Sequence, residues 1–471
     1  MGRLFGTDGV RGVAGEDLTG QLAMSLATAA AGMLQDTRAA AATRNSAARL
    51  TAVVGRDPRA SGEFLEAAVV AGLAGAGVDV LRLGVIPTPG VAFLTDALGA
   101  DLGVMLSASH NPAPDNGIKL FASGGFKLPD AAEDEIEARM AAPGRVQGPP
   151  ASGFGRVRDA GGERERYLRH LLASQPGMRA PSAAHGARMP GLGSPALAGL
   201  RVVVDCAHGA ASALAPELLR RAGADVMAIG AEPDGENINA DCGSTHLEAL
   251  SAAVTKHGAD AGIAHDGDAD RCLAVDADGG MIDGDQILAV LALELQARGR
   301  LAGDTVVATV MSNLGFRKAM AKAGITVVET AVGDRYVLEA MRAGHFAIGG
   351  EQSGHIIMLE HATTGDGMLT ALHLLAAAAR RRLALADLAR VMTRYPQVLV
   401  NVAGVDKERA ARSPELAAAI AAAEAELGPA GRVLVRPSGT EPAVRVMVEA
   451  TDHSRAQRLA DGLAATIRAL S

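Results

Sequence analysis

Leu102-Gly103-Val104-Met105-Leu106-Ser107-Ala108-Ser109-His110-Asn111-Pro112, followed by Asp115-Asn116-Gly117-Ile118-Lys119-Leu120-Phe121, decides how this chain is read. The apolar run Leu102 to Leu106 has the pattern of a buried strand. It ends abruptly in small residues, a histidine and Asn-Pro. Proline disfavours a helical residue before it, so no helix starts at once. Asp115-Asn116-Gly117 is a turn signal, and Ile118 to Phe121 reads as the returning strand. Two hydroxyls and an imidazole thus stand on a loop at the C-terminal end of a strand, where ligands sit in α/β sheets. Taken by itself, a serine-rich turn that satisfies its own backbone would look the same. Three other loops decide between the two readings.

Around this stretch the chain alternates strands and helices. Ala52 to Gly55 and Val78 to Leu83 read as strands flanking a helix, Ser61 to Gly75, with Ser61 as its cap and Glu63 in its first turn. Strand-helix-strand predicts parallel pairing. Gly6-Thr7-Asp8-Gly9-Val10-Arg11-Gly12 reads as a glycine loop from which Arg11 can reach a phosphate, with a surface turn as the alternative. Gln21 to Leu34 and Asp130 to Met140 are predicted helices, and residues 38–49 a polar loop. Residues 143–155 and 177–195 are rich in Pro and Gly and read as a domain edge and a flexible insertion. Gly191-x-Gly193-x-x-Ala196 imitates part of a dinucleotide fingerprint, but it precedes a strand instead of following one. The alternation then continues. Strands are expected at Leu200–Asp205, Asp225–Ile229, Ala261–Ala264, Thr305–Val310, Thr326–Thr330 and Phe346–Ile348. Helices separate them, one of which Ser244 should cap. From Pro396 the pattern changes to a smaller α+β unit with one long helix, Lys407 to Glu426.

A chain of 471 residues is too long for one ordinary core and predicts three or four domains. With 2% aromatic residues and no Trp, Ala, Val and Leu must fill those cores. A net charge of −8 argues against a nucleic-acid backbone as partner. Cys206, Cys242 and Cys272 are too scattered for a disulfide framework or a thiolate metal site. The most apolar stretches, 287–293 and 372–379, are shorter than the roughly 20 residues a bilayer span needs. No basic-then-apolar leader opens the chain, so a soluble cytoplasmic protein is expected.

The most specific local signal is Asp266-Gly267-Asp268-Ala269-Asp270-Arg271. Three carboxylates at alternate positions can fold around one hard cation, whereas without a counter-ion they repel each other. Arg271 stands where an EF-hand needs Gly, which excludes that motif. Mg²⁺ usually binds a few carboxylates plus a substrate phosphate, and Arg271 can pair with the same phosphate. Gly350-Glu351-Gln352-Ser353-Gly354-His355 offers donors and acceptors suited to a polyhydroxy ligand, as would an ordinary polar turn. Arg436-Pro437-Ser438-Gly439-Thr440-Glu441-Pro442, with Arg445 beyond it, is an anion nest of arginines, hydroxyls and backbone N–H groups. A P-loop Gly-Lys-Ser/Thr occurs nowhere, so a nucleoside triphosphate is not indicated. One hydroxyl nucleophile with two phosphate grips suggests phosphoryl transfer between two positions of one small molecule; a hydrolase needs only one grip.

In these four motifs, in this order, the chain resembles the α-D-phosphohexomutases over nearly its whole length. Phe5 to Gly12, Ala269, Val332 to Val337 and Thr363 to Gly367 resemble the bacterial branch that acts on hexosamine phosphates. The resemblance implies three similar α/β domains plus a smaller C-terminal α+β domain around a central cleft, bounded at 1–165, 166–280, 281–392 and 393–471. It implies interconversion of glucosamine 6-phosphate and glucosamine 1-phosphate through a bisphosphate, on the route to UDP-N-acetylglucosamine. Ser109 would carry a phosphoryl group, and one Mg²⁺ would be held by that phosphate with Asp266, Asp268 and Asp270. Arg11, His110, Lys119 and Arg271 would surround the phosphoserine, with the acid/base group left open among the first three. Glu351, Ser353 and His355 would hold the sugar; Arg436, Ser438, Gly439, Thr440 and Arg445 would hold the phosphate that is not moving. A monomer or homodimer without nucleic-acid or membrane partners follows. A phosphomannomutase or phosphoglucomutase, a Mg²⁺-dependent phosphatase and a sugar-phosphate sensor remain the competing readings. The loops at 38–49 and 177–195 look longer than is usual for the family.

Overall fold

The computed structural model describes residues 3–6, 8–40, 49–141, 153–175, 195–437 and 443–470. These fall into two compact units, residues 1–310 with 328–389, and residues 311–327 with 390–471. No helix among the described residues is long and apolar enough to cross a membrane.

The first unit is built on mixed sheets. In the first sheet, Thr51–Arg56 pairs in parallel with both Asp79–Val85 and Leu102–Leu106. The strand–helix–strand expectation therefore holds, and the helix between the first two strands covers Ser61–Gly75. All five residues of Leu102–Leu106 are buried, the pattern of a strand with both faces covered. The second sheet pairs Arg201–Asp205 in parallel with Asp225–Ile229 and Ala261–Ala264. The third pairs Val307 in parallel with Gly349.

One device recurs at the end of each sheet. The strand that delivers a motif is followed by an antiparallel return strand, so the motif is the tip of a hairpin. Leu102–Leu106 returns as Asp115–Ala122, Ala261–Ala264 as Leu273–Asp276, and Ile348–Gly350 as Ile356–Met358. In the second unit Arg432–Pro437 returns as Ala443–Glu449, which also pairs with Gln397–Ala403. Valines of this small sheet, among them Val398, Val446 and Val448, pack with Leu463 and Ile467 of the closing helix His453–Ala469.

Several local expectations are overturned. Asp115-Asn116-Gly117 is not a turn but the start of the strand Asp115–Ala122. A second partner explains this: Val10–Val13, expected as part of a glycine loop, is a strand that pairs antiparallel with it, Arg11 opposite Gly117. Ladder hydrogen bonds on both sides outweigh a local turn preference. Ser61 does not cap its helix; its hydroxyl accepts from Asn116 Nδ2 at 2.8 Å. Ser244 lies in a short 3₁₀ turn, and the helix begins at Glu248. The single helix expected from Lys407 is two, Lys407–Ala411 and Pro414–Leu427. Pro414 cannot continue a helix but suits a first turn, and Ser413 Oγ caps the new one by accepting from Leu416 N at 3.1 Å. The helices Thr88–Ala97 and Arg164–Ala173 were not expected.

Candidate active site

Ser109 sits at the first hairpin tip with φ 54°. A non-glycine residue pays about 1–2 kcal/mol for that conformation and keeps it only where its surroundings over-determine it. They do so here. Ser109 N donates to Ser107 Oγ at 2.9 Å, and Ser107 Oγ donates to Asp57 Oδ2 at 2.6 Å. Arg59, fully buried, donates through Nε to Asp57 Oδ2 at 2.9 Å. Its two terminal nitrogens reach the carbonyls of Ser109 (3.1 Å), Asn111 (2.8 Å), Asp115 (2.9 Å) and Pro112. All five N–H groups of the guanidinium are thereby matched. Asn239 Nδ2 adds a donor to the Ser109 and Asn111 carbonyls, each at 2.9 Å.

The second tip meets the first. Ser109 Oγ donates to Asp266 Oδ2 at 2.6 Å. Gly267 permits that approach: a Cβ there would lie 2.5 Å from the Ser109 carbonyl oxygen. Lys119, buried on the return strand, donates to Asp268 Oδ2 at 2.8 Å and lies 2.8 Å from Asp8 Oδ2 and 3.6 Å from Asp270 Oδ2. Thr88 Oγ1 donates to Asp268 Oδ2 at 2.6 Å. Arg11 pairs with Asp8, and Lys127 bridges Asp8 and Asp334 at 2.5 Å each. His110 Nδ1 is 3.3 Å from Ser109 Oγ. Arg271 Nε stands 3.9 Å from Asp266 and 3.8 Å from Asp270.

The electrostatics divide the acidic triplet. Burial, then the charges of Asp270 and Asp268, push the Asp266 carboxyl well above the usual range. Burial acts the same way on Asp268, but the Lys119 ammonium overcomes it and holds that carboxyl below its usual value. Lys119 is itself held above its usual range: burial opposes its charge, and Asp268, Asp8 and Asp270 more than compensate. Burial, with Arg271 and Arg11 nearby, lowers His110 to about 4.

The triplet suits a hard cation. Carboxylate oxygens of Asp266, Asp268 and Asp270 lie within 4.8 Å of one another, and all three residues are buried. Asp268 Oδ1 and Asp270 Oδ1 are buried without a hydrogen-bond partner among the described residues. Native structures leave few buried carboxylate oxygens orphaned, and an oxygen-only donor set matches Mg²⁺.

The third tip borders the second. Arg271 and His355 form a bridge, and Cys272 N donates to the Gly354 carbonyl at 3.0 Å. Glu351 Oε1 accepts from Gly333 N at 3.1 Å, and Ser353 is half-buried on the same turn. His355 is buried, with Nε2 3.6 Å from Asp334 Oδ2 and no hydrogen bond at either ring nitrogen among the described residues. In the second unit Arg436 faces Arg445 across its hairpin. Burial, then the Arg445 charge, lowers the Arg436 guanidinium, as expected where two cations stand side by side. Ser438, Gly439 and Thr440 lie outside the described residues.

Asp57, Arg59, Thr88 and Asn239 escaped the sequence reading. Asp57-Pro58-Arg59 carried a signal, since it ends a strand as the motif loops do. Thr88 and Asn239 carried none; only the fold brings them to the tips.

In order along the chain, it matches the descriptions phosphoglucomutase/phosphomannomutase alpha/beta/alpha domain I over residues 2–146, domain II over 189–280, domain III over 283–395, and the C-terminal domain over 399–466. A Thermobifida fusca protein named phosphoglucosamine mutase is 65% identical over 469 residues, covering 99% of this chain and 98% of that protein. A Streptomyces coelicolor protein of the same name is 60% identical over 473 residues, covering 99% of each. A Burkholderia thailandensis phosphoglucomutase/phosphomannomutase family protein has the same fold, with a TM-score of 0.79 at 24% identity over 99% of this chain and 97% of that one. Four hairpin tips bearing a serine, an acidic triplet, a polar turn and paired arginines, together with these likenesses, establish that the chain belongs to the phosphoglucomutase/phosphomannomutase family.

Proposed function

We propose that this chain is an isomerase that interconverts glucosamine 6-phosphate and glucosamine 1-phosphate, with Ser109 as the phosphoryl carrier. The observation that carries the proposal is the Ser109 hydroxyl lying 2.6 Å from Asp266 within a buried acidic triplet. In the active form Ser109 bears the phosphoryl group. A sugar hydroxyl attacks phosphorus, the bond to Ser109 Oγ breaks, and the proton lost by the sugar hydroxyl ends on Ser109 Oγ. The resulting bisphosphate turns end for end, and its other phosphate returns to Ser109 as the Oγ hydroxyl attacks and gives up its proton, which the leaving sugar oxygen takes. Mg²⁺ held by Asp266, Asp268 and Asp270 would neutralise charge on the transferring group.

The chain's own groups do the rest. Lys119 and Arg11 supply fixed positive charge beside the serine. His110, with Nδ1 3.3 Å from Oγ, is placed to hold or move the proton there. Arg271 pairs with the phosphate. Glu351, Ser353 and His355 hold the sugar, whose hydroxyls and amino group suit the free ring nitrogens of His355. Arg436 and Arg445, with Ser438, Gly439 and Thr440, hold the stationary phosphate. Four domains, bounded near residues 165, 280 and 392, each bring one loop. We place the enzyme in the cytoplasm, where sugar phosphates are kept.

Turnover of glucosamine 6-phosphate, run beside mannose and glucose 1-phosphates, tests the substrate. Ser109→Ala should abolish interconversion and the mass increment of a phosphopeptide spanning residue 109. Wild-type activity in that variant would overturn the carrier assignment. Free phosphate released at the interconversion rate would favour a phosphatase instead.

A further inference from the structure

A second concentration of cations lies away from the four loops. Arg298 and Arg300 follow the helix Gly284–Ala297, while Arg380 and Arg381 end the helix Gly367–Arg381. Cations at helix C-termini are favoured by the dipole, which accounts for their sign but not for their number. Glu294 serves three of them, Arg298 at 3.5 Å, Arg380 at 3.3 Å and Arg381 closer still. Glu360 serves Arg300. Four guanidinium groups against two carboxylates leave a local charge of +2 on a chain whose net charge is −8.

Arg298, Arg300 and Arg380 line one cavity together with their partners Glu294 and Glu360 and with Ser174, His361 and His373. Its free volume is about 40 Å³. That exceeds the ~10–15 Å³ one water needs and suits a compact anion, not a nucleotide. Beyond its 3.5 Å ion pair with Glu294, Arg298 makes no side-chain hydrogen bond among the described residues, so most of its five donors remain available. Burial and the Arg298 charge hold the Arg380 guanidinium below the usual arginine range, although Glu294 opposes them. His373 adds no charge: burial pushes it down to about 3. Ser174 Oγ gives its proton to the Leu171 carbonyl at 2.6 Å, so the His373 Nε2, 2.9 Å away, must be the donor to Ser174.

We infer that this cavity is a binding site for inorganic phosphate or for the phosphate end of a small monoester, gripped by Arg298 and Arg380 and separate from the catalytic loops. Three guanidinium groups and two carboxylates leave the lining at +1, which a bound phosphate offsets, and the guanidinium fork matches two phosphate oxygens at once. The inference does not depend on the reaction proposed above.

The test uses the full chain in calorimetric titration and thermal unfolding, with inorganic phosphate and with glycerol 3-phosphate. In the wild type, phosphate should bind at this site and raise the melting temperature. R298Q and R380Q should each weaken that binding at least tenfold and remove most of the phosphate-dependent increment, with turnover at saturating substrate unchanged. In phosphate-free buffer R298Q should melt at the same temperature as the wild type or higher, because a like-charge neighbour is gone. Tighter binding of glycerol 3-phosphate would mark the ligand as a monoester; equal or weaker binding would mark it as phosphate itself. Equal phosphate affinity in wild type and both variants would overturn the inference. So would an R298Q loss of stability of the same size with and without phosphate, which marks a purely structural arginine.

Discussion

Replacing Arg59 by Lys separates positioning from charge. Arg59 spends one N–H on Asp57 and four on the Ser109, Asn111, Pro112 and Asp115 carbonyls. Lysine keeps the charge but has three donors, so at least two of these five bonds are lost. The Ser109 and Asn111 carbonyls retain Asn239 Nδ2, so the loss falls on Pro112 and Asp115. At about 1 kcal/mol per bond, and more where a carbonyl stays buried without a partner, R59K should cost roughly 2–3 kcal/mol in urea unfolding. The larger effect is kinetic. A displacement of about 1 Å at the reacting serine can cost ~10²-fold in rate. Arg59 itself reaches no substrate, so kcat should fall by that order while KM changes little. Amide exchange over residues 107–117 should quicken as the tip loosens. If R59K kept kcat within twofold and its exchange rates were unchanged, the tip would not be held by this guanidinium and the argument would fail.

Mg²⁺ should stabilise the chain through the triplet, by about 2.7 kcal/mol at a hundredfold excess over its Kd. D268N should shrink the Mg²⁺-dependent rise in melting temperature, and an unchanged rise would reject the site. Asp366 gives a pH test. Burial raises its carboxyl to about 6 from 3.8. The folded chain therefore binds more protons than the unfolded chain between those values, and stability should fall as pH rises from about 4 to about 6, by roughly 3 kcal/mol. D366N keeps the helix cap to Leu369 N and the contact to Tyr167, so it should flatten that slope; parallel urea midpoints for the two proteins across this range would refute it.

The fold was legible where local signals and tertiary demands agreed. Leu102–Leu106 and Ala261–Ala264 are buried runs in both the sequence and the structure. Asp366 and Asn313 cap the helices Gly367–Arg381 and Leu314–Lys322, as their residue types favour. Legibility failed where a distant partner decided. Asp115-Asn116-Gly117 has turn chemistry, yet Val10–Val13 lies more than a hundred residues away and turns it into a strand. The Ser413-Pro414 break is local and could have been read from proline alone.

The candidate site divides the same way, for a physical reason. Its motifs are hairpin tips, and a tip must be written in consecutive residues. Ser109, the acidic triplet and the His355 turn could therefore be singled out from consecutive residues, although only the motifs taken together told the serine and histidine loops from ordinary polar turns. What makes the tips competent is not consecutive. Ser109 in a left-handed conformation beside a buried carboxylate is costly, and Arg59 from one strand end and Asn239 from a remote loop meet that cost together. Lys119 belongs to both classes. Its place on the return strand follows from hairpin register, with Met105 opposite, but its charge matters only because the second tip brings Asp268 to 2.8 Å. That contact keeps one member of the triplet ionised while Asp266 is pushed toward holding a proton. A cation entering there has one carboxylate already charged and two oxygens already stripped of partners, so little reorganisation stands between the folded chain and a loaded site.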